Sequence, residues 1–381
     1  MDRKRIIFCC DKKNKLMINK VAIILSGLLT VLFLTSISFD ESKIEKKNDW
    51  EKCEIKGEVK ERRVYRYCCF DAKTEEFFLR KFDRNGYLVE KNERYYDCED
   101  TTAYVNKYYY RYDDNNNLIE ELLFDSKFGS EERVVYEYDE KGQCVEKQMF
   151  NSKRESRYRF VKKYDDNGNV IEQLFYNRSD TTPNIIHRKY DAKGNLLDDG
   201  EGTFYRYDDK GNVIEICVFG CDGDLLKKIS YEYDDKGNLI KDCCFDSFNE
   251  TYDSTKFTYN DKGKKIESVV CSYDVEGNWL CTNKLKLKYD KKGRLITKRY
   301  RLSKSDDSYH MRYYKETFKY DKNGNKVEHR SYAADDDKKI VYEDEIEIFK
   351  YDDIGNLIEY KMKYGKELYA EEHYEYVYYD K

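Results

Sequence analysis

Tyr207-Asp208-Asp209-Lys210-Gly211-Asn212-Val213-Ile214-Glu215 is the stretch on which the fold of this chain turns. Near-copies are Tyr164-Asp165-Asp166-Asn167-Gly168-Asn169-Val170-Ile171-Glu172, Tyr233-Asp234-Asp235-Lys236-Gly237-Asn238-Leu239-Ile240-Lys241 and Tyr351-Asp352-Asp353-Ile354-Gly355-Asn356-Leu357-Ile358-Glu359. Numbered from the residue after each aromatic, copies begin at 83, 113, 139, 165, 191, 208, 234, 260, 290, 321 and 352. Several steps are 26, later ones are 30 or 31, and the step from 191 to 208 is short. A fixed recurrence of this length is the mark of a repeat array.

Each copy reads as a β-hairpin. An aromatic precedes the Asp throughout, from Phe82 and Tyr112 to Tyr320 and Tyr351. Two residues earlier a large side chain usually returns, as at Tyr110, Tyr136, Tyr205, Tyr231 and Phe257, with a charged residue between. Period-two alternation rich in aromatics predicts a half-buried strand. Asp-x-x-Gly then suits a type I turn, with the Asp carboxylate accepting from the backbone beyond it. The Gly supplies the left-handed conformation of a bulged closure, and Asn116 replaces it in one copy as the next most tolerant residue. After the turn the third residue past the Gly is aliphatic (Val89, Ile119, Ile171, Ile214, Ile358 among others) and is expected on the same packed side as the aromatics. A second, looser turn such as Asp125-Ser126-Lys127-Phe128-Gly129-Ser130 links one hairpin to the next. One such unit cannot offset the entropy of ordering itself, so neighbours must stack.

Composition agrees. Charged residues make up 39% of the 381 and there are 39 Tyr with one Pro, while mean hydropathy is −0.96. That excludes a thick apolar interior, and the aromatic and β-branched content excludes disorder. The fold class is therefore all-β: an antiparallel β-hairpin repeat array forming an elongated, curved or spiral sheet, with an N-terminal hydrophobic signal or anchor helix. Two dozen strands exceed what an open twisted sheet holds before curling, and edges are expected at both ends.

Residues 1–38 form the signal peptide or membrane anchor, 39–60 a polar linker, and 61–381 the array. Seven basic residues stand within Met1–Lys20, and Val21–Phe39 carries no charge. Ser36 and Ser38 fit the −3 and −1 positions of a cleavage site, and a start at Met17 would give a short signal peptide. An uncleaved anchor remains the alternative, with a buried core helix a third. Positive charge ahead of the apolar run places the repeats outside the cytoplasm. The membrane is thus a partner only through this segment. Lys, Asn, Tyr and Ile richness points to an AT-rich bacterial gene.

Net charge is −5, and removing residues 1–38, which carry seven positive and two negative charges, leaves −10. Nucleic acid is thereby excluded as a partner, since phosphate binding needs a concentrated basic surface. Alternating Lys/Arg and Asp/Glu along the strands read as cross-strand pairs on a wet face. Eleven cysteines follow the N-terminal segment without a C-x-x-C pair, so they read mainly as small packed side chains, with one or two bridges allowed.

Asp165-Asp166-Asn167-Gly168-Asn169 is superficially like a calcium loop, but the first and twelfth ligands of that register would be Lys163 and Leu174, and neither can serve. The four histidines (His187, His310, His329, His373) show no metal or catalytic spacing, and no nucleophile elbow or phosphate loop is present. No pattern in the sequence therefore points to a catalytic, metal-binding or cofactor-binding residue. The candidate ligand-binding side chains are Tyr110, Tyr136, Tyr205 and Tyr231, whose rings could stack on sugars and whose hydroxyls could hold them. Packing against neighbouring strands is their structural alternative.

The recurring Tyr-Asp-x-x-Gly-Asn-Leu/Val-Ile resembles the YD repeat of the RHS family, over about residues 61–381. That resemblance implies β-hairpin sheets spiralling into shells, and an association with bacterial surface proteins, polymorphic toxins and carbohydrate binding. The pattern runs to Asp380 with no effector segment after it, which favours a repeat-only member. The expected function is an exported, non-enzymatic surface or secreted binding and scaffold module for a glycan or an extracellular protein. The alternative is a shell fragment or accessory of an RHS-type toxin system.

Overall fold

The computed structural model describes residues 48–68, 73–96, 103–178, 180–304, 313–334 and 345–380. The signal or anchor segment expected at 1–38 lies outside them. The described residues form one sheet of twenty-five strands, from β1 (Val59–Cys68) to β25 (Glu367–Tyr378), preceded by a one-turn helix α1 (Asp49–Lys52). No helix among them is long and apolar enough to cross a membrane.

The repeat motif builds each tight turn as its residues dictate. In the 208 copy the Asp208 N–H donates to Asn212 O (2.9 Å) and Gly211 N–H to Asp208 O (3.0 Å). Asp208 Oδ1 accepts from the Lys210 and Asn212 N–H groups at 2.9 and 2.8 Å, and Oδ2 accepts from Asn212 Nδ2 at 2.9 Å. The Asn212 amide, aided by those backbone donors, holds the Asp208 carboxyl below its ordinary range. Both oxygens of this carboxylate are engaged inside the turn, which is the role its sequence suggested. Gly211 has φ +86° and its stand-in Asn116 has φ +60°, as the closure requires.

Immediately before most tight turns the ladder shifts register: Tyr207 pairs with Val213, while Arg206 pairs with Glu215. This bulge re-aims the strand. The residue two past the Gly faces inward beside the Tyr. The third, expected on the packed side, does not join it: Ile171, Leu197, Ile240 and Ile358 stay 37–38% exposed. Beyond the bulge, alternation resumes with charges outward. Arg206 and Lys228 flank Glu215 at 3.5 and 2.8 Å, and Lys163 pairs with Glu172, so the cross-strand pairs anticipated from the charge alternation line the outer face.

The curved hairpin array has no free edges at its ends, contrary to the expectation. β1 pairs with its successor and also with β25, through nine residue pairs from Val59↔Tyr378 to Cys68↔Ala370. Parity permits this. β10 (Asn184–His187) and β11 (Lys189–Tyr190) are one strand interrupted at Arg188, whose N–H still donates to Ile171 O at 2.9 Å. Counting those two as one leaves twenty-four, and an up-and-down meander can close antiparallel only with an even number of strands. Closure removes the edge that an open array would expose.

The seam is locked by groups about 300 residues apart. Asn356 Nδ2 donates to Lys56 O (2.8 Å) while the Lys56 N–H donates to Asn356 Oδ1 (2.6 Å). Tyr379 N–H donates to Glu58 O (2.9 Å) and its hydroxyl to Phe82 O (2.6 Å). Ahead of β1, Trp50 and Ile55 pack on Val59 and Phe82, and Trp50 Nε1 donates to Val59 O (2.8 Å). Trp50 also lies so close to Gly86 that a Cβ there would stand 2.5 Å from its ring.

Candidate functional site: the inner wall

The strand parity set by the tight turns decides what faces inward. At about 4.8 Å per strand, twenty-four strands give a perimeter of about 115 Å. Eight hydrophobic side chains among the described residues are buried, too few for a ring of that size packed solid. The interior is therefore a lined space, and its lining is the candidate site.

A continuous tyrosine ladder runs round it. Each Tyr before a turn, from Tyr112 to Tyr351, donates its hydroxyl to the carbonyl two past the Gly (or Asn116) of the preceding repeat, and Tyr376 of β25 does the same to Leu357. Eleven such bonds of 2.7–3.0 Å run from Tyr112→Leu88 and Tyr138→Leu118 through Tyr207→Leu196 to Tyr351→Lys326 and Tyr376→Leu357. The accepting residues sit at the bulge, ahead of the first pair their strand makes with the next hairpin, as Val213 precedes Glu215↔Ser230 and Leu118 precedes Glu120↔Val135, and the hydroxyl supplies their carbonyls with a donor there. This use of the repeated Tyr was not read from the sequence, although its invariance before the Asp was the available signal.

The four tyrosines singled out as ligand-binding candidates all face inward, in two separate settings. Tyr110 and Tyr136 flank Glu121 on the neighbouring strand: Tyr110 is its register partner, and the Tyr136 hydroxyl donates to its carboxylate at 2.7 Å. Burial, then the Glu121 charge, pushes the Tyr110 phenol up to about 12; burial and the Glu121 hydrogen bond raise Tyr136 as well. Tyr205 and Tyr231 instead belong to an apolar cluster with Ile216, Ile229, Val218 and Cys244. Tyr205 is only 5% exposed, and burial pushes both phenols up to about 12.

Farther round, the lining is ionic. On β20 (Leu295–Lys304), Lys298 Nζ lies 2.8 Å from Glu316 of β21 (Tyr313–Tyr320). Glu316 stands 3.3 Å from Nε2 of His329 on β22 (Lys326–Ala334), and His329 Nδ1 is 2.5 Å from Glu347 of β23 (Glu345–Tyr351). Glu347 accepts from Tyr360 of β24 (Leu357–Tyr364) at 2.9 Å. The Glu316 carboxylate, with Glu347, holds the imidazole above its usual range against burial, which acts the other way. Burial alone would raise Glu316, but His329 and Lys298 together outweigh it and hold it below. Beside them Glu345 is raised by burial. His329 showed nothing in sequence beyond being one of four histidines. Only the fold brings its partners together.

The outer face of β24 and β25 gathers Glu359, Glu371 and His373 within metal-ligand reach of one another. Lys361 Nζ already sits 2.9 Å from Glu371 and 3.5 Å from Glu359, and an ammonium in that position does a cation's work. Cys53, Cys217, Cys221, Cys243, Cys244, Cys271 and Cys281 carry free thiols.

The Teneurin YD-shell family model matches residues 129–305. None of the curated proteins matches this chain. Among solved structures, TcdB2-TccC3-Cdc42 is similar at a TM-score of 0.33 and 13% identity, over 77% of this chain and 19% of that one. The Photorhabdus luminescens Tc holotoxin pore gives 0.31 and 12%, over 75% and 22%. A porin-like protein from Bacteroides vulgatus gives 0.27 and 11%, over 53% and 95%. The chain thus spans about a fifth of the length of the two toxin chains.

Proposed function

The chain belongs to the RHS/YD-repeat family, and from that premise we propose that it is a non-enzymatic, exported shell component of an RHS-type toxin system. Its role is to enclose or hold a polypeptide partner. The observation that carries this reading is closure: the first and last strands pair with each other, so the array surrounds a lined space and does not present an open face. The lining suits holding rather than chemistry. Its tyrosine hydroxyls and carboxylates are engaged in fixed structural bonds, as Tyr136 with Glu121 and Tyr360 with Glu347.

The test is recovery of the full chain from native cells with whatever it binds. A polypeptide should co-purify and resist protease while bound, and become cleavable once the seam is weakened by Val64→Asp, which puts a charge at a buried β1 position paired with Tyr374 of β25. Recovery of no partner, or a partner digested at its free rate, would overturn the reading.

A second reading, an exported binding module for a glycan or an extracellular protein, is favoured by the Tyr110–Glu121–Tyr136 arrangement. Two aromatic rings and a carboxylate on one wall can stack on and hydrogen-bond a sugar. Glycan-array binding that weakens on Tyr136→Phe would support it. An array with no binder would remove it.

A further inference from the structure

Farther round the inner wall, charges meet their opposites, as Lys298 meets Glu316. Near the seam they do not. Arg62 of β1 is the register partner of Arg80 on β2 (Lys73–Phe82), and Arg80 is the partner of Lys91 on β3 (Leu88–Tyr96). Arg62 also pairs with Tyr376, a rung of the inward tyrosine ladder, so this row faces the interior. Like charges directly opposite each other destabilise a sheet, and here three cations stand in consecutive register.

Only the third is met. Lys91 Nζ lies 2.6 Å from Glu93 and 4.6 Å from the Tyr108 ring centre. Among the described residues neither Arg62 nor Arg80 stands in an ion pair. Arg80 Nη1 donates to Cys53 Sγ at 3.4 Å, and a thiol sulfur is a weak acceptor. The Arg62 guanidinium lies 5.0 Å from the Tyr374 ring centre, and its Nε is buried with no hydrogen-bond partner among the described residues. The carboxylate beside them, Glu372, is already engaged: it accepts from Arg66 Nε at 2.8 Å and from the Tyr374 hydroxyl at 2.5 Å. A buried donor without an acceptor is costly in a folded chain, which marks the place where an acceptor belongs.

Size and charge choose that acceptor. Arg62, Val64, Phe78, Arg80, Glu372 and Tyr374 line a cavity of about 130 Å³. A site for a whole organic ligand runs to roughly 300–1,000 Å³, so this one takes a single functional group. Two unmet positive charges call for two negative ones on that group. A carboxylate carries one. A phosphate carries two, and its oxygens can face guanidinium forks from both sides. We propose that Arg62 and Arg80 together bind a doubly charged tetrahedral oxyanion, either free phosphate or a phosphate group presented from the interior. The site does not depend on what else the ring encloses.

Isothermal titration of the full chain tests it, with inorganic phosphate and glycerol phosphate as probes and acetate and malonate as controls. Ionic strength is held constant at mildly alkaline pH, where phosphate is doubly charged. Inorganic phosphate should bind at a single site. Arg62→Gln and Arg80→Gln should each weaken it about tenfold or more, and Arg62→Lys, which keeps the charge but loses the fork, should weaken it less. Arg63→Gln, on the outer face of the same strand, should leave it unchanged. Millimolar phosphate should also raise the melting temperature of the parent chain and leave that of the two Gln variants where it was. Glycerol phosphate binding as tightly as inorganic phosphate would assign the site to a phosphate group on a larger molecule, and its exclusion would assign it to the free ion; either supports the pair as the site. No phosphate binding, acetate or malonate binding as tightly, or phosphate binding untouched by both Gln variants would each overturn the proposal. So would Gln variants whose melting temperature falls equally with and without phosphate, since the pair would then be structural alone.

Discussion

Two stretches of the inner wall use the same repeat and fill it oppositely. Around the short step the lining is apolar: Leu196, Tyr205, Ile216, Ile229 and Val218 pack together. From β20 to β24 the same inward positions hold Lys298, Glu316, His329, Glu347 and Tyr360. Strand length explains the difference. β11, β12 (Leu196–Asp198) and β13 (Thr203–Tyr207) have two, three and five residues, and β12 meets β13 through the single pair Asp198↔Phe204. β20 has ten residues, and its ladder to β19 (Trp279–Tyr289) runs through nine pairs. Where the backbone ladder is short, side-chain burial must hold the wall. Where it is long, the interior can carry charges whose desolvation is offset by mutual pairing.

Breaking the short region should therefore cost most. The Asp198–Thr203 turn is tucked against its neighbours: a Cβ on Gly200 would stand 2.2 Å from His187 O, and its φ is +77°. A backbone carbonyl cannot swing aside, so Gly200→Ala should destabilise by about 4 kcal/mol in urea unfolding. Gly211→Ala, at φ +86° but with nothing within 4 Å, should cost about 1 kcal/mol from backbone strain alone. Equal losses would show that the crowding at Gly200 is not what holds the short repeat. Next, Ile216→Ala should cost about 3 kcal/mol, because Ile216 is the register partner of both Tyr205 and Ile229.

The ionic region sharpens the contrast through pH. Glu316→Gln leaves Lys298 and His329 short of a carboxylate and should cost about 2 kcal/mol at neutral pH. His329 is raised in the folded chain, so its stabilising contribution is complete below its unfolded pKa and is lost as pH climbs through the folded value. Glu316 is lowered, so its contribution is present above the unfolded value and is lost as pH falls through the folded one. Melting temperature should therefore fall at both ends, and His329→Gln should flatten the alkaline limb and, because His329 helps to hold Glu316 low, make the acid limb shallower as well. An unchanged alkaline limb in that variant would separate the His329 cluster from folding.

The hairpin, its Asp-x-x-Gly turn and the alternation of charge were legible because each is a local rule, written again in every copy from Asp83 to Asp352. Asn116 in place of Gly identified the left-handed position before any coordinate did. What stayed illegible depends on contacts between copies or across the whole ring. The Asn356–Lys56 pair and the Tyr379–Phe82 bond join residues about 300 apart, and no spacing rule reports that. Trp50 falls within residues 39–60, expected as a polar linker, yet it packs against Phe82 beside the Gly86 turn. The bulge was the local feature missed. It shifts the sequence by one residue, and so puts Ile171 and Ile240 on the wetter side while Val170 and Leu239 take their place inside.

The smallest expected effect concerns what the two regions share. Tyr233 lies beside the apolar cluster and Tyr320 lies beside the ionic one, and each donates to a bulge carbonyl, Val213 O at 2.9 Å and Leu295 O at 2.8 Å. Removing one hydroxyl by Tyr→Phe keeps the ring and its packing but leaves the carbonyl without its donor, which should cost about 1 kcal/mol. If the tyrosine ladder is a common frame and only the filling between its rungs varies, Tyr233→Phe and Tyr320→Phe should cost the same within about 0.5 kcal/mol and add in the double variant, since the sites are far apart. A clear excess at Tyr233 would mean that the short repeat leans on its ladder as well as on its apolar lining. A clear excess at Tyr320 would mean that long strands do not by themselves make the ionic wall secure.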